Sequence, residues 1–146
     1  MNTAPLARIL SLAVLVAALG AAHAQSAAPA DQAAAPSATA NETANSWLVA
    51  IDGAASSDGM LTLTVTPWDI GPVTVSVAAK QGESANMIAL KFRDAFRAAL
   101  DQNTFRVDLK GKDTIRVLAK HGDHQFRVDA TETAASGVNI DLKKEK

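Results

Sequence analysis

Two imidazoles and a carboxylate stand within four residues in His121-Gly122-Asp123-His124. Such a cluster on a tight turn could ligate a metal ion or supply a general base. Zinc takes three protein ligands in a catalytic site and four in a structural one; the only other histidine, His23, falls in the N-terminal leader, and cysteine is absent. Adjacent turn residues also converge poorly on one ion. The spacing therefore predicts a polar turn with Gly122 in the left-handed region, and no metal or other cofactor. Nucleophilic chemistry has as little support. Ser56, Ser57, Ser84 and Ser136 are available, but there is no Gly-x-Ser-x-Gly elbow, and Ser84 is better placed as a helix cap. The 15 acidic residues show no spacing that singles out a catalytic pair, and neither common phosphate-cradling glycine loop occurs. The expected catalytic set is empty, and the chain reads as a protein that is not an enzyme.

Binding chemistry has better candidates. Trp68 lies in Thr66-Pro67-Trp68-Asp69-Ile70-Gly71-Pro72, a turn-rich stretch between two strand patterns, where a large aromatic ring is either displayed to a partner or folded over the open end of the core. Trp47, at the start of the first strand pattern, reads as a lid of the core. The uncharged row Thr62, Thr64, Thr66, Thr74 and Ser76 is a second place for a strand or glycan to dock, and equally an ordinary outer sheet face.

The elements that must position these residues follow from periodicity. Trp47, Val49 and Ile51, then Leu61, Leu63 and Val65, then Val73, Val75 and Val77 alternate with polar residues and predict three strands, with the Gly53–Gly59 stretch as a loop. From Ser84 to Leu100 the period changes. Ala85, Ile88, Ala89, Phe92, Ala95, Phe96 and Ala99 fall on one helical face, with Ser84 as N-cap. Alternation then returns in Phe105, Val107 and Leu109, in Ile115, Val117 and Ala119, in Phe126, Val128 and Ala130, and in Val138, Ile140 and Leu142. Leu118 departs from it on a partly covered outer face. Gly111-Lys112-Asp113 and the His121–His124 stretch read as turns of antiparallel hairpins. Three strands, one helix and four strands define an α+β fold: mainly antiparallel sheet of about seven strands with one amphipathic helix packed on one face, most simply a single sheet.

Residues 1–24 carry the three parts of a secretory leader: Arg8, the apolar run Ile9 to Leu19, and Ala22-His23-Ala24 before Gln25. Residues 25–45, rich in Ala, Pro and Ser, predict a disordered linker, and 46–146 a single domain. Without cysteine, an exported domain depends on its core alone. The pattern indicates a bacterial protein, periplasmic or secreted, with no stable membrane anchor after processing. Loss of Arg8 leaves 13 basic against 15 acidic residues, a formal charge of −2. Nothing global attracts nucleic acid, and the basic residues of the late strands interleave with Asp108, Asp113, Asp123 and Asp129. Cross-strand pairs of Arg106 or Asp108 with Arg116 or Arg127 are expected there.

From residue 80 to 130, Gly82-Glu83-Ser84-Ala85 leads into Ile88-Ala89 and a short helix, followed by Phe105-Arg-Val-Asp-Leu109, Gly111 and Thr114-Ile-Arg-Val-Leu-Ala119. This run resembles the ββαββ module of phage tail proteins and of the flagellar hook-associated IN motif. The resemblance implies an assembly or surface-interaction module without catalytic residues. Flagellar axial proteins are not exported by a cleaved leader and have long terminal helices that this chain lacks, so the resemblance carries the fold alone.

Together these features describe an exported, non-catalytic binding or assembly module that contacts protein or envelope glycan through its sheet surface, with Trp68 as candidate binding residue and self-association through an edge strand as a further possibility. The alternatives are a periplasmic inhibitor or accessory protein of a hydrolase, presenting the Gly53–Gly59 or Pro67–Pro72 loop, and a small secreted hydrolase using the His121–His124 turn.

Overall fold

The computed structural model describes residues 42–146. The stretches expected to form a leader (1–24) and most of a linker (25–45) lie outside the described residues. Seven strands and one helix follow in the expected order: β1 (Ser46–Gly53), β2 (Gly59–Thr66), β3 (Val73–Ala79), α1 (Ala85–Ala99), β4 (Phe105–Leu109), β5 (Thr114–Ala119), β6 (Arg127–Thr133) and β7 (Val138–Lys144). The fold is α+β, with every ladder antiparallel.

The strands divide between two sheets rather than forming one. One has the order β4-β5-β1-β7 and the other β3-β2-β6. Alternation fixes which side of a strand is buried, and both sheets turn that side to a common interior. Trp47, Val49, Ile51, Ile115, Val117 and Ile140 enter it from the first sheet, and Leu61, Leu63, Val65, Val75 and Val128 from the second, all nearly or fully buried. Helix α1 packs against β3 of one sheet and β1, β4 and β5 of the other, so it bridges one edge strand of each sheet, β3 and β4. Ile88, Ala89, Phe92 and Phe96 are its buried residues; the expected inward Ala99 is exposed.

The helix also closes those edges chemically. Lys91 Nζ donates to the Ala78 carbonyl of β3 at 3.0 Å, and Arg97 places Nε and Nη2 on the Val107 carbonyl of β4 at 3.0 and 2.8 Å. Both carbonyls belong to strands with a ladder on one side only, where unpaired backbone groups invite association. Ser84 occupies the N-cap position, but its hydroxyl makes no capping bond; the helix start is held by Glu83, which takes Lys91 Nζ at 2.5 Å.

Three local expectations change. The His121–His124 stretch is not a hairpin tip, because β5 pairs with β1 and β4 while β6 pairs with β2, so this stretch carries the chain from one sheet to the other. Gly122 is not among the positive-φ glycines, which are Gly53, Gly82, Gly111 and Gly137. Asp108 does meet Arg116, at 3.3 Å, but Arg127 lies in the other sheet and bonds Asp129 at 2.6 Å. Backbone pairing begins upstream of Ser46, where Ala44 and Phe126 exchange hydrogen bonds of 3.0 and 2.8 Å.

Candidate functional site

Trp68 and His124, 56 positions apart in sequence, lie face to face. Their ring centroids are 3.9 Å apart and their planes 24° from parallel. The Pro67-Trp68 step brings the indole out of the end of β2, and the crossover after β5 brings the imidazole up from the other sheet. His121 adds a third ring, edge-on to His124 at 5.1 Å. Beneath the stack, Trp68 tilts against Phe105 at 5.8 Å, and Phe105 makes an edge contact with Phe126 at 5.2 Å. Trp47 completes this end of the core: it is fully buried, and its Nε1 donates to the Phe126 carbonyl at 2.9 Å.

Trp68 is therefore anchored from below by the core yet remains 37% exposed. It forms one wall of a groove of about 440 Å³, whose other walls are Thr43, Thr66, Pro67, Gln125 and Arg127. Thr43 Oγ1 donates to Gln125 Oε1 at 2.8 Å, which leaves the Gln125 NH2 group as a donor. Arg127 is held by Asp129 through Nε, at 2.6 Å. An aromatic ring beside hydroxyl, amide and guanidinium groups, in a volume typical of small-ligand sites, can stack an apolar face and hydrogen-bond a polar rim.

His124 is constrained on several sides. Its Nε2 lies 4.0 Å from Asp123 Oδ1, and its Nδ1 is buried with no hydrogen-bond partner among the described residues. The stack against Trp68 thus fixes the imidazole more than hydrogen bonding does. Among the described residues, no group of three His, Asp or Glu side chains is placed to hold a metal ion.

Ser56 and Ser57 are remote from the histidines. Leu118, near the end of β5, pairs with Ser46 at the start of β1, whereas Ser56 and Ser57 follow Gly53 at the far end of β1. Eight residues of strand separate the two ends, roughly 25 Å at about 3.3 Å per residue, so neither Ser56 nor Ser57 pairs with a histidine. The Gly53–Gly59 loop is also stitched down rather than projecting. Ala55 N donates to Glu83 O at 2.9 Å, Ser56 N to Ser136 O at 2.8 Å, and Gln81 N to Asp58 Oδ1 at 2.7 Å. On the threonine face, Thr62 shares a hydrogen bond with Ser76 at 3.1 Å and Thr64 with Thr131 of β6 at 2.7 Å, while Thr66 reaches the Trp68 groove.

Sequence reasoning singled out Trp68 and the two histidines separately; their meeting was invisible to it. It missed Thr43, Gln125 and Arg127 as groove residues. Thr43 sits in a stretch without periodicity, and no local signal marks it. Comparison with known families and with curated proteins gives no match to the chain.

Proposed function

We propose that this chain is an exported, non-catalytic carbohydrate-binding module of the bacterial envelope or extracellular space, which contacts its ligand at the Trp68 groove rather than across a flat sheet surface. One observation carries this reading: a partly exposed indole, pre-set by its stack on His124, walls a groove whose rim offers the Thr43, Thr66, Gln125 and Arg127 side chains. A pyranose presents an apolar face of C–H groups and an equatorial rim of hydroxyls. The indole suits the first and the hydroxyl, amide and guanidinium groups suit the second. Fixing the ring before binding removes an ordering cost that a freely rotating tryptophan would incur.

The test is retention on polysaccharide fractions of a bacterial envelope by affinity electrophoresis, comparing the parent with Trp68→Ala and with Thr64→Ala on the hydroxyl face. Retention of the parent and of Thr64→Ala, lost in Trp68→Ala, supports the groove. Equal retention of the parent and Trp68→Ala refutes it.

A further inference from the structure

The crossover that carries His121 and His124 has a second hollow on its other flank, between the end of α1 and β4. This hollow of about 410 Å³ is floored by Leu100, Phe105 and Val107, and three cations surround it: Arg97, Arg106 and Lys120. Its single carboxylate, Asp108, is already shared between Arg106 Nε at 2.6 Å and Arg116 Nη2 at 3.3 Å, with Arg97 Nη2 at 3.9 Å. Local charge is therefore positive in a chain whose formal total is −1.

The cations are held in place with donors to spare. Arg97 is clamped by its fork on the Val107 carbonyl, Lys120 Nζ rests on the Gln102 carbonyl at 2.5 Å, and Arg106 uses its Nε on Asp108. A guanidinium has five N–H donors and an ammonium three, so each keeps donors for an incoming oxyanion.

The two hollows are neighbours. Phe105, on the floor of the basic one, lies 5.8 Å ring to ring from Trp68, a wall of the other, and Lys120 and Gln125 bracket the crossover between them. Resting on the reading of the Trp68 groove given above, we infer that the saccharide bound there is acidic, with a carboxylate or phosphate group seated among Arg97, Arg106 and Lys120. The aromatic groove holds the sugar ring, and the basic hollow selects the charge.

The probes are a galacturonan tetrasaccharide paired with its carboxyl-reduced counterpart, and a mannose phosphate disaccharide paired with its dephosphorylated counterpart. Calorimetry on the full chain is compared with Trp68→Ala and with Arg106→Gln/Lys120→Gln, two exposed side chains whose loss leaves the Arg97 clamp intact. The expected result is that at least one acidic member binds about tenfold or more tightly than its neutral partner, as charge-assisted hydrogen bonds allow. That gap closes in the double variant and narrows with added salt, and binding of both members weakens in Trp68→Ala. Equal affinity within both pairs, or a gap that survives the double variant, overturns the acidic specificity while leaving the groove standing. Cation-dependent binding indifferent to Trp68→Ala overturns the groove reading instead. No binding of any probe counts against both.

Discussion

The indole of Trp68 covers the imidazole of His124 at 3.9 Å, joining the β2–β3 connection to the crossover between the sheets. Since Trp47 is fully buried, quenching of tryptophan fluorescence by acrylamide reports on Trp68. His124→Ala is expected to raise that quenching and to lower stability by about 0.5–1.5 kcal/mol, the worth of an aromatic pair beyond its buried area. His121→Ala, edge-on and more distant, should change both much less. Unchanged quenching in His124→Ala would show that the core contact with Phe105 alone sets the ring.

The helix protects one edge of each sheet, β3 and β4, with single long side chains, so removing one exposes a defined backbone acceptor. Arg97→Ala leaves the Val107 carbonyl of β4 without its fork. The expected loss is about 1 kcal/mol, below the usual 1.5–3 for a charged hydrogen bond because the side chain is partly solvated. Light scattering should also rise with concentration as β4 becomes available to a second copy. Arg97→Lys, a single point charge, should recover only part of either effect. A urea midpoint and scattering identical to the parent would remove the helix from any role in guarding that edge.

What the sequence made legible, and what it did not, divides along a physical line. Alternation at Leu61, Leu63 and Val65 or at Ile115, Val117 and Ala119 encodes which face of a strand is apolar, and all six are buried. It does not encode the neighbour. β5 and β6 looked like a hairpin because their connection is short, but β5 already has β4 and β1 as partners and β6 lies beside β2. Trp68 and His124 were each conspicuous by type, one as a displayed ring and one as a ligand candidate. Their contact depends on how the sheets face each other, which no local period records.

Gly53 and Gly137 close on one another, each with positive φ, where β1 ends and β7 begins. A Cβ on Gly53 would fall on the Gly137 carbonyl oxygen, far inside van der Waals contact, whereas at Gly111, also at positive φ, it would meet open space. Gly111→Ala is thus expected to cost about 1 kcal/mol from backbone strain alone. Gly53→Ala adds a clash with fixed backbone and should cost several-fold more, read as a lower midpoint in urea. Equal midpoints for the two variants would mean the chain ends around β1 and β7 give way easily.

Acid is expected to loosen the start of the helix once the pH falls below the ordinary carboxylate range. The Glu83 carboxyl is held below its usual range, chiefly by Lys91 Nζ at 2.5 and 2.7 Å and then by the Lys80 backbone N–H at 3.0 Å. A depressed folded-state value means that the contribution is fully present above the ordinary glutamate value of 4.5 and is lost as pH falls through the lower folded one. Asp101 is lowered in the same direction by the Asn103 N–H and then the Thr104 hydroxyl, and Glu145 by Lys110 and then Ser46. Protonating Glu83 also frees Lys91, whose ammonium caps the Ala78 carbonyl, so the acid step loosens the β3 edge together with the helix start. Melting temperature followed from about pH 6 down to about pH 3 should fall more steeply in the parent than in Glu83→Gln, with the two curves converging at the acid end and a residual slope left by Asp101 and Glu145. Lys91→Ala removes the main cause of the shift and should flatten the slope to a similar degree. Parallel curves for parent and Glu83→Gln would show that the Lys91 contact does not hold the carboxylate in its charged form.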